Sequence, residues 1–326
     1  MGFLRTPATL LTLICVFVTG CTTQPYTYGT GRGDRDDGLY PPMEQQVYIG
    51  EPSPVLDAAG WYWPPSLLAK LLLWNASVDN HKISDETLDV MMQFIADNEL
   101  DDVQVLVNTY KPGNQWQRLF KNYTMNPFWR YTLGILSVSF YTILPGRFFG
   151  GDNFNPYTNT INLYSDVPAI ALHEGGHAKD FASRELKGTY SAIYALPFVA
   201  LYHEAIATSD TLSYLLDQSC SEERKDAYNI LYPAYSTYIG GNIAPFYASP
   251  WIQYVGIIPG HIAGRIASAN VEDAEAQCGL YLAAKSEAEA EANADAAEPD
   301  AREPSNTSQS GRDEEAEKAA AEAAGR

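Results

Sequence analysis

Basic residues are the first thing this 326-residue chain has little of: 21 Lys and Arg stand against 40 Asp and Glu, a formal charge of −19. Phosphate binding needs a basic surface, so nucleic acid is excluded as a default partner. Histidine is also scarce, with five in all, yet His173, His177 and His203 fall within one short region while His81 and His261 stand apart. Cysteine occurs only at positions 15, 21, 220 and 278. No internal repeat is visible, which argues for one domain between the two ends. Long apolar runs are missing too: the uncharged stretch Ala227 to Gly264 is broken by Pro245, Pro250 and Pro259 below the length needed to span a bilayer.

The ends are different in kind from the body. Arg5 precedes an uncharged run carrying Leu10, Leu11, Leu13, Ile14, Val16 and Phe17, the layout of a secretory signal over residues 1–20. From 21 to 55 the chain is rich in Gly, Tyr, Asp, Arg and Pro without apolar periodicity through about Tyr48, and reads as a flexible tether. Residues 286–326 are Ala, Glu, Asp and Ser with nothing apolar larger than Ala, so they read as a solvated, disordered tail. Residues 56–285 form the body, rich in Tyr and Trp.

Within the body, Ser84 can cap a helix carrying Leu88, Met91, Met92, Phe94 and Ile95, followed by a strand over Val103 to Val107. Thr158 to Ser165 alternates Ile161 and Leu163 with Thr160, Asn162 and Tyr164, which reads as a second strand. Asp166 can cap the next helix and Pro168 suits its first turn, so Val167 to about Phe181 is expected to be helical.

That helix carries His173-Glu174-Gly175-Gly176-His177. Residues four apart stand one turn above each other, so the two imidazoles can aim at one cation while Glu174 flanks it. The arrangement suits catalytic zinc, with zinc as Lewis acid and Glu174 as the base for the attacking water. An intact Glu174 argues against a purely structural metal, which has no use for a base.

A third ligand is needed. The metzincin pattern is excluded, because Asp180 and Ser183 stand where it requires Gly and His or Asp. Tyr202-His203-Glu204-Ala205-Ile206-Ala207 resembles the second helix of gluzincins, the thermolysin-like and aminopeptidase-like zincins, in which Glu supplies the ligand. The resemblance, which covers about Thr158 to Leu215, implies an α+β, zincin-like fold, mostly helical, whose small sheet has its edge strand immediately before the metal helix. It assigns zinc to His173, His177 and Glu204, and an extended peptide substrate to that edge strand. His203 competes with Glu204, but adjacent helix positions point about 100° apart, so only one of them can face the metal. Thermolysin-like relatives place Asp four residues after the ligand Glu, where this chain has Thr208; Asp180 and Asp210 are the candidates for holding an imidazole N–H. His261, Tyr190, Tyr194 and Tyr254 are candidates for oxyanion stabilisation by residue type.

Val18-Thr19-Gly20-Cys21 resembles the lipobox of bacterial lipoproteins. It implies acylation of Cys21 and anchoring in the cell envelope, at the outer membrane facing the periplasm, with the lipid bilayer as partner. An ordinary secretory signal or an uncleaved anchor helix is the alternative. Signal removal and acylation leave Cys220 and Cys278, which are expected to form a disulfide in an oxidising compartment unless both are buried as thiols. Gly256, Gly260 and Gly264 recur every fourth residue, spacing that lets helices approach closely. Of two readings for the uncharged stretches 131–146 and 227–264, a Tyr-rich buried core is preferred to a membrane-dipping surface. The functional expectation is an exported, lipid-anchored zinc metallopeptidase acting on an envelope peptide or protein. The alternatives are a non-catalytic envelope scaffold and a zinc hydrolase of a non-peptide substrate.

Overall fold

Short apolar runs in the first half of the body build a sheet, and the second half is almost entirely helical. The computed structural model describes residues 25–30, 46–149, 151–194, 196, 198–218, 221–247 and 252–271. The signal segment, Cys21, Cys220, Cys278 and the acidic tail lie outside the described residues. Four strands, β1 (Val47–Ile49), β2 (Gln104–Val107), β3 (Asn153–Asn155) and β4 (Thr160–Leu163), join in the order β1-β2-β4-β3. β1, β2 and β4 are parallel, with Val47 beside Val105 and Val105 beside Ile161, while β3 runs antiparallel with Phe154 beside Ile161. Parallel neighbours need long crossovers. The first is α1 (Pro54–Trp61), α2 (Pro64–Leu73) and α3 (Asp85–Asp97); the second holds α4 (Pro112–Lys121), α5 (Pro127–Trp129), a π-helical turn Arg130–Gly134, α6 (Ile135–Ile143), α7 (Gly146–Phe149) and β3. After β4 come α8 (Pro168–Ser183), α9 (Lys187–Tyr194), α10 (Val199–Gln218), α11 (Ser221–Tyr247), α12 (Ile252–Val255) and α13 (Ile257–Ala269). The protein is α+β, mostly helical with a small mixed sheet.

The strand before α8 is not the sheet edge that the zincin resemblance implies. β4 lies between β2 and β3, and the edge is β3. The polar set of the alternation faces hydrogen-bonding partners instead of water: Asn162 donates to Asn153 Oδ1 at 3.1 Å and Thr160 donates to the Thr158 carbonyl at 3.1 Å, both residues buried. The apolar set, Val105, Val107, Ile161 and Leu163, meets Met91, Phe94 and Ile95 of α3 and Ala171 and Leu172 of α8 in one core. Burial of each large side chain there contributes about 1.5–3 kcal/mol.

Ser84 caps α3 as expected, accepting from the Thr87 amide at 3.3 Å. Asp166 does not cap its own helix. Its Oδ1 accepts from the Ser84 amide, the Ser84 hydroxyl and the Thr87 hydroxyl, tying the start of α3 to the loop that enters α8. Pro168 opens α8, where a missing N–H costs no hydrogen bond.

The tether boundary at residue 55 also moves towards the N-terminus. Val47–Ile49 completes the sheet, and Asp57 of α1 accepts from Arg147 at 2.9 Å and from Asn108 at 3.1 Å. Even Pro25–Thr30 is bound to the body. Tyr26 donates to Asn98, which caps the end of α3, at 2.9 Å, Tyr28 to Asp217 of α10 at 2.5 Å, and Lys179 of α8 donates to the Thr27 carbonyl at 2.6 Å while standing 3.9 Å over the Tyr26 ring.

Two helix contacts depend on glycine. A Cβ on Gly175 would stand 2.7 Å from the Phe94 ring of α3, and one on Gly176 would stand 3.0 Å from the Ala207 carbonyl oxygen of α10. Gly256, Gly260 and Gly264 seat α13 on α11 in the same way, a Cβ on Gly260 falling 2.8 Å from Pro233 Cα. Tyr235, Ile239 and Ile257 are buried around this seam, whereas Val255, Ile258, Ile262 and Ile266 stay exposed. Among the described residues no helix is long and apolar enough to cross a membrane.

Candidate metal centre

α8 presents His173 and His177 one turn apart, and α10 lies against it closely enough to bring Glu204 between them. His173 Nε2 is 3.0 Å from Glu204 Oε2 and His177 Nε2 is 3.5 Å from Glu204 Oε1. The ligand atoms of these three residues lie within 4.8 Å of one another, a cluster that can hold a metal ion. The donor set fits one: two imidazole nitrogens and a carboxylate are the ligand types of a divalent transition metal.

Electrostatics at Glu204 are dominated by its position. The residue is 2% exposed. Burial by itself would raise its carboxyl, but the His177 charge and hydrogen bonds with His173 and His177 hold it far below the usual carboxylate range. Burial likewise opposes charge on His177, and Glu204 reverses that, so the imidazole is held above its ordinary value. Tyr194 of α9 donates to Glu204 Oε1. Tyr238 of α11 adds a second phenol beside the carboxylate: the Glu204 charge, with burial, pushes its hydroxyl well above the phenol range, although the residue as a whole is 42% exposed.

Glu174 shares a cavity of about 390 Å³ with His177, Glu204, Tyr194 and Tyr238. Its carboxyl is raised, by burial first, against the opposing pull of His177 and His173. Asp152, Asn153 and Phe154 at the edge strand form one wall, and Leu133, Leu136, Ser137 and Phe140 form another. A larger cavity of about 830 Å³ is lined by Gly176, Lys179, Asp180 and Ser183. At 100° per residue that is the face of α8 turned away from Glu174 and His177.

Other candidates fall elsewhere. His203 points away from the cluster into a fully buried aromatic box, its ring 4.3 Å from Tyr190 and 4.5 Å from Tyr194 between centroids. Its Nδ1 is 3.7 Å from Asp180 Oδ2, beyond hydrogen-bonding length, and neither ring nitrogen has a hydrogen-bond partner. Asp180 accepts from Arg184 and from the Tyr190 hydroxyl at 2.6 Å, and Asp210 pairs with Lys179 at 2.8 Å. Neither carboxylate reaches the ring of His173 or His177. The group nearest His173 Nδ1 is the Thr208 hydroxyl, at 3.5 Å, in the position where thermolysin-like proteins carry Asp. His261 is spent far from the cavity, stacked on Trp74 at 4.0 Å with Nε2 2.7 Å from the Leu72 carbonyl oxygen, and Tyr254 on α12 is not part of the cavity wall. Of the oxyanion candidates only Tyr194 lines the cavity. Tyr238 was not anticipated, since nothing in its local sequence links it to α8.

No family model, curated protein or solved structure matches the chain. The chemistry of the centre therefore rests on its own geometry.

Proposed function

We propose that the protein is an exported, lipid-anchored zinc metallopeptidase, with His173, His177 and Glu204 as ligands and Glu174 as general base. The observation that carries this reading is the convergence of three ligand atoms within 4.8 Å beside a cavity that also holds the Glu174 carboxyl. Two imidazoles and one carboxylate leave a fourth position for water or substrate, the pattern of catalytic rather than structural zinc. Bound there, zinc would supply Lewis acidity and lower the pKa of water towards neutrality.

The chain's own residues account for the rest. Glu174, made more basic by burial, takes the proton of the attacking water and returns it to the leaving amine. β3 has no second strand neighbour among the described residues, so its outer edge is free to pair with an extended peptide main chain. Tyr194 and Tyr238 line the cavity beside Glu204, and with that carboxylate engaged by a metal their hydroxyls would be the donors suited to the developing oxyanion. Cys21, acylated, holds this domain to the envelope membrane.

Metal analysis of the full chain beside Glu174→Gln, with proteolysis assays on both, tests the proposal. The variant should keep one equivalent of zinc and lose about 10²–10⁴ in activity, and Cys21→Ser should move the protein from the membrane to the soluble fraction. A wild-type protein that takes up no zinc would end the reading.

A further inference from the structure

Helix α6 is built the wrong way round for a soluble scaffold. Of its nine residues only Val138 is buried, against Leu119, Met125 and Tyr157. Its large apolar side chains face outwards: Leu136 is 53% exposed, Phe140 57% and Ile143 72%, with Leu144 exposed beside them. Leu136, Phe140 and Ile143 share one helical face, continued by Leu144 just past the helix end, while Leu133 on the preceding π-helical turn is half-buried against the Leu119 cluster. An apolar stripe of this kind, left in water, marks an interaction site.

The stripe is continuous with the metal centre. Leu133, Leu136, Ser137 and Phe140 form one wall of the cavity that holds Glu174, His177 and Glu204. Asn155 of the edge strand donates to Ser137 Oγ at 3.0 Å, fixing β3 beside α6. The ionisable groups along the cavity are the carboxylates Asp152, Glu174 and Glu204 with His177 and three tyrosines, and neither Lys nor Arg lines it among the described residues. Asp152 is already committed to the amides of Tyr164 and Ser165 and to the Ser165 hydroxyl. Apart from His177 and the metal it would help to hold, the cavity therefore offers no cation to receive a phosphate or an acidic side chain. It offers an apolar shelf leading to a strand edge.

We propose that α6 is the docking shelf for the substrate, and that the substrate is an apolar stretch of polypeptide whose side chains rest on Leu136, Phe140 and Ile143. The fate of the seated chain rests on the hydrolase reading above; the seating itself does not. The area removed from water on α6 supplies the binding and sets the preference for apolar sequence.

The test uses the full chain carrying Glu174→Gln, so that nothing is cleaved, and two fluorescent peptides of equal length and charge, one of Leu, Phe and Val, the other of Ser, Gln and Thr. The apolar peptide should bind about tenfold or more tightly, in line with the burial of several apolar side chains. Adding Leu136→Lys with Phe140→Lys should abolish that preference, whereas Ile258→Lys with Ile262→Lys on the exposed face of α13 should leave it intact; all four positions are exposed, and circular dichroism checks the fold. Equal affinity for the two peptides, a preference that survives the α6 pair, or one lost equally with the α13 pair would overturn the proposal. Wild-type protein that cleaves both peptides alike sinks the shelf and leaves the peptidase. Protein that cleaves neither, yet binds the apolar one through α6, sinks the peptidase and leaves the shelf.

Discussion

Of the helix pairs that meet through glycine, α8 on α10 and α13 on α11 do opposite things with the closeness. At α8 and α10 the approach permitted by Gly176 brings ionisable side chains together in a buried space, where Glu204, Asp180 and His203 all sit with less than a tenth of their surface in water. Across α11 and α13 the same device brings together Ser236, Pro233 and Tyr228, and the outward face is left apolar. Close packing is thus not a mark of chemistry. What separates the pairs is whether side chains that ionise lie on the faces brought together, because a charge kept from water must find a partner there or bind a metal.

The largest effect that could break this contrast comes from Glu204→Ala set beside Gly260→Val. Removing a ligand should weaken zinc binding by more than about a hundredfold, beyond the loss typical of the groups that merely support ligands, as measured by competitive chelation. Gly260→Val should instead lower the melting temperature while the folded protein still binds one equivalent. A folded, zinc-free Gly260→Val protein would show that the two pairs are not separable. Next in size is Gly175→Ala, which adds a methyl against Phe94. Overpacking of this kind costs about 1–3 kcal/mol, and urea unfolding should show Phe94→Leu recovering part of it; no recovery would mean that the helix contact is set elsewhere.

The smallest effect concerns pH. Burial favours the protonated Asp166, but its hydrogen bonds from Ser84 and Thr87 outweigh that and hold the carboxyl below its ordinary value. A depressed folded value means that the contribution is present above the unfolded pKa of about 3.9 and is lost as pH falls through the folded one. Asp166→Asn should therefore be less stable than wild type near neutrality, with the two converging in acid. Parallel curves across the acid range would remove Asp166 from the account.

Much of the centre was legible because it is local. The i, i+4 spacing of His173 and His177 is a property of a single helix, helix rotation allowed only one of His203 and Glu204 to join them, and the gluzincin resemblance singled out Glu204; the structure brings these three residues together as a possible metal-binding cluster. Tyr238 and Thr208 depend on how α11 and α10 lie against α8, which no window of sequence contains. The same limit explains the sheet: the strand Thr160–Leu163 was visible, but whether it was edge or centre depended on the distant partners Gln104–Val107 and Asn153–Asn155. Asp166 was misassigned for a related reason, since a carboxylate before one helix can equally serve the start of another.

The strap formed by Pro25–Thr30 has a mechanical consequence. It is fastened across α3, α8 and α10 at once, through Asn98, Lys179 and Asp217. A pull transmitted through Pro25–Thr30 would reach α8 at Lys179, two residues beyond His177. If Cys21 is acylated and the cluster holds a metal, as proposed, the tug of the membrane and the grip on the metal would be borne by the same stretch of helix.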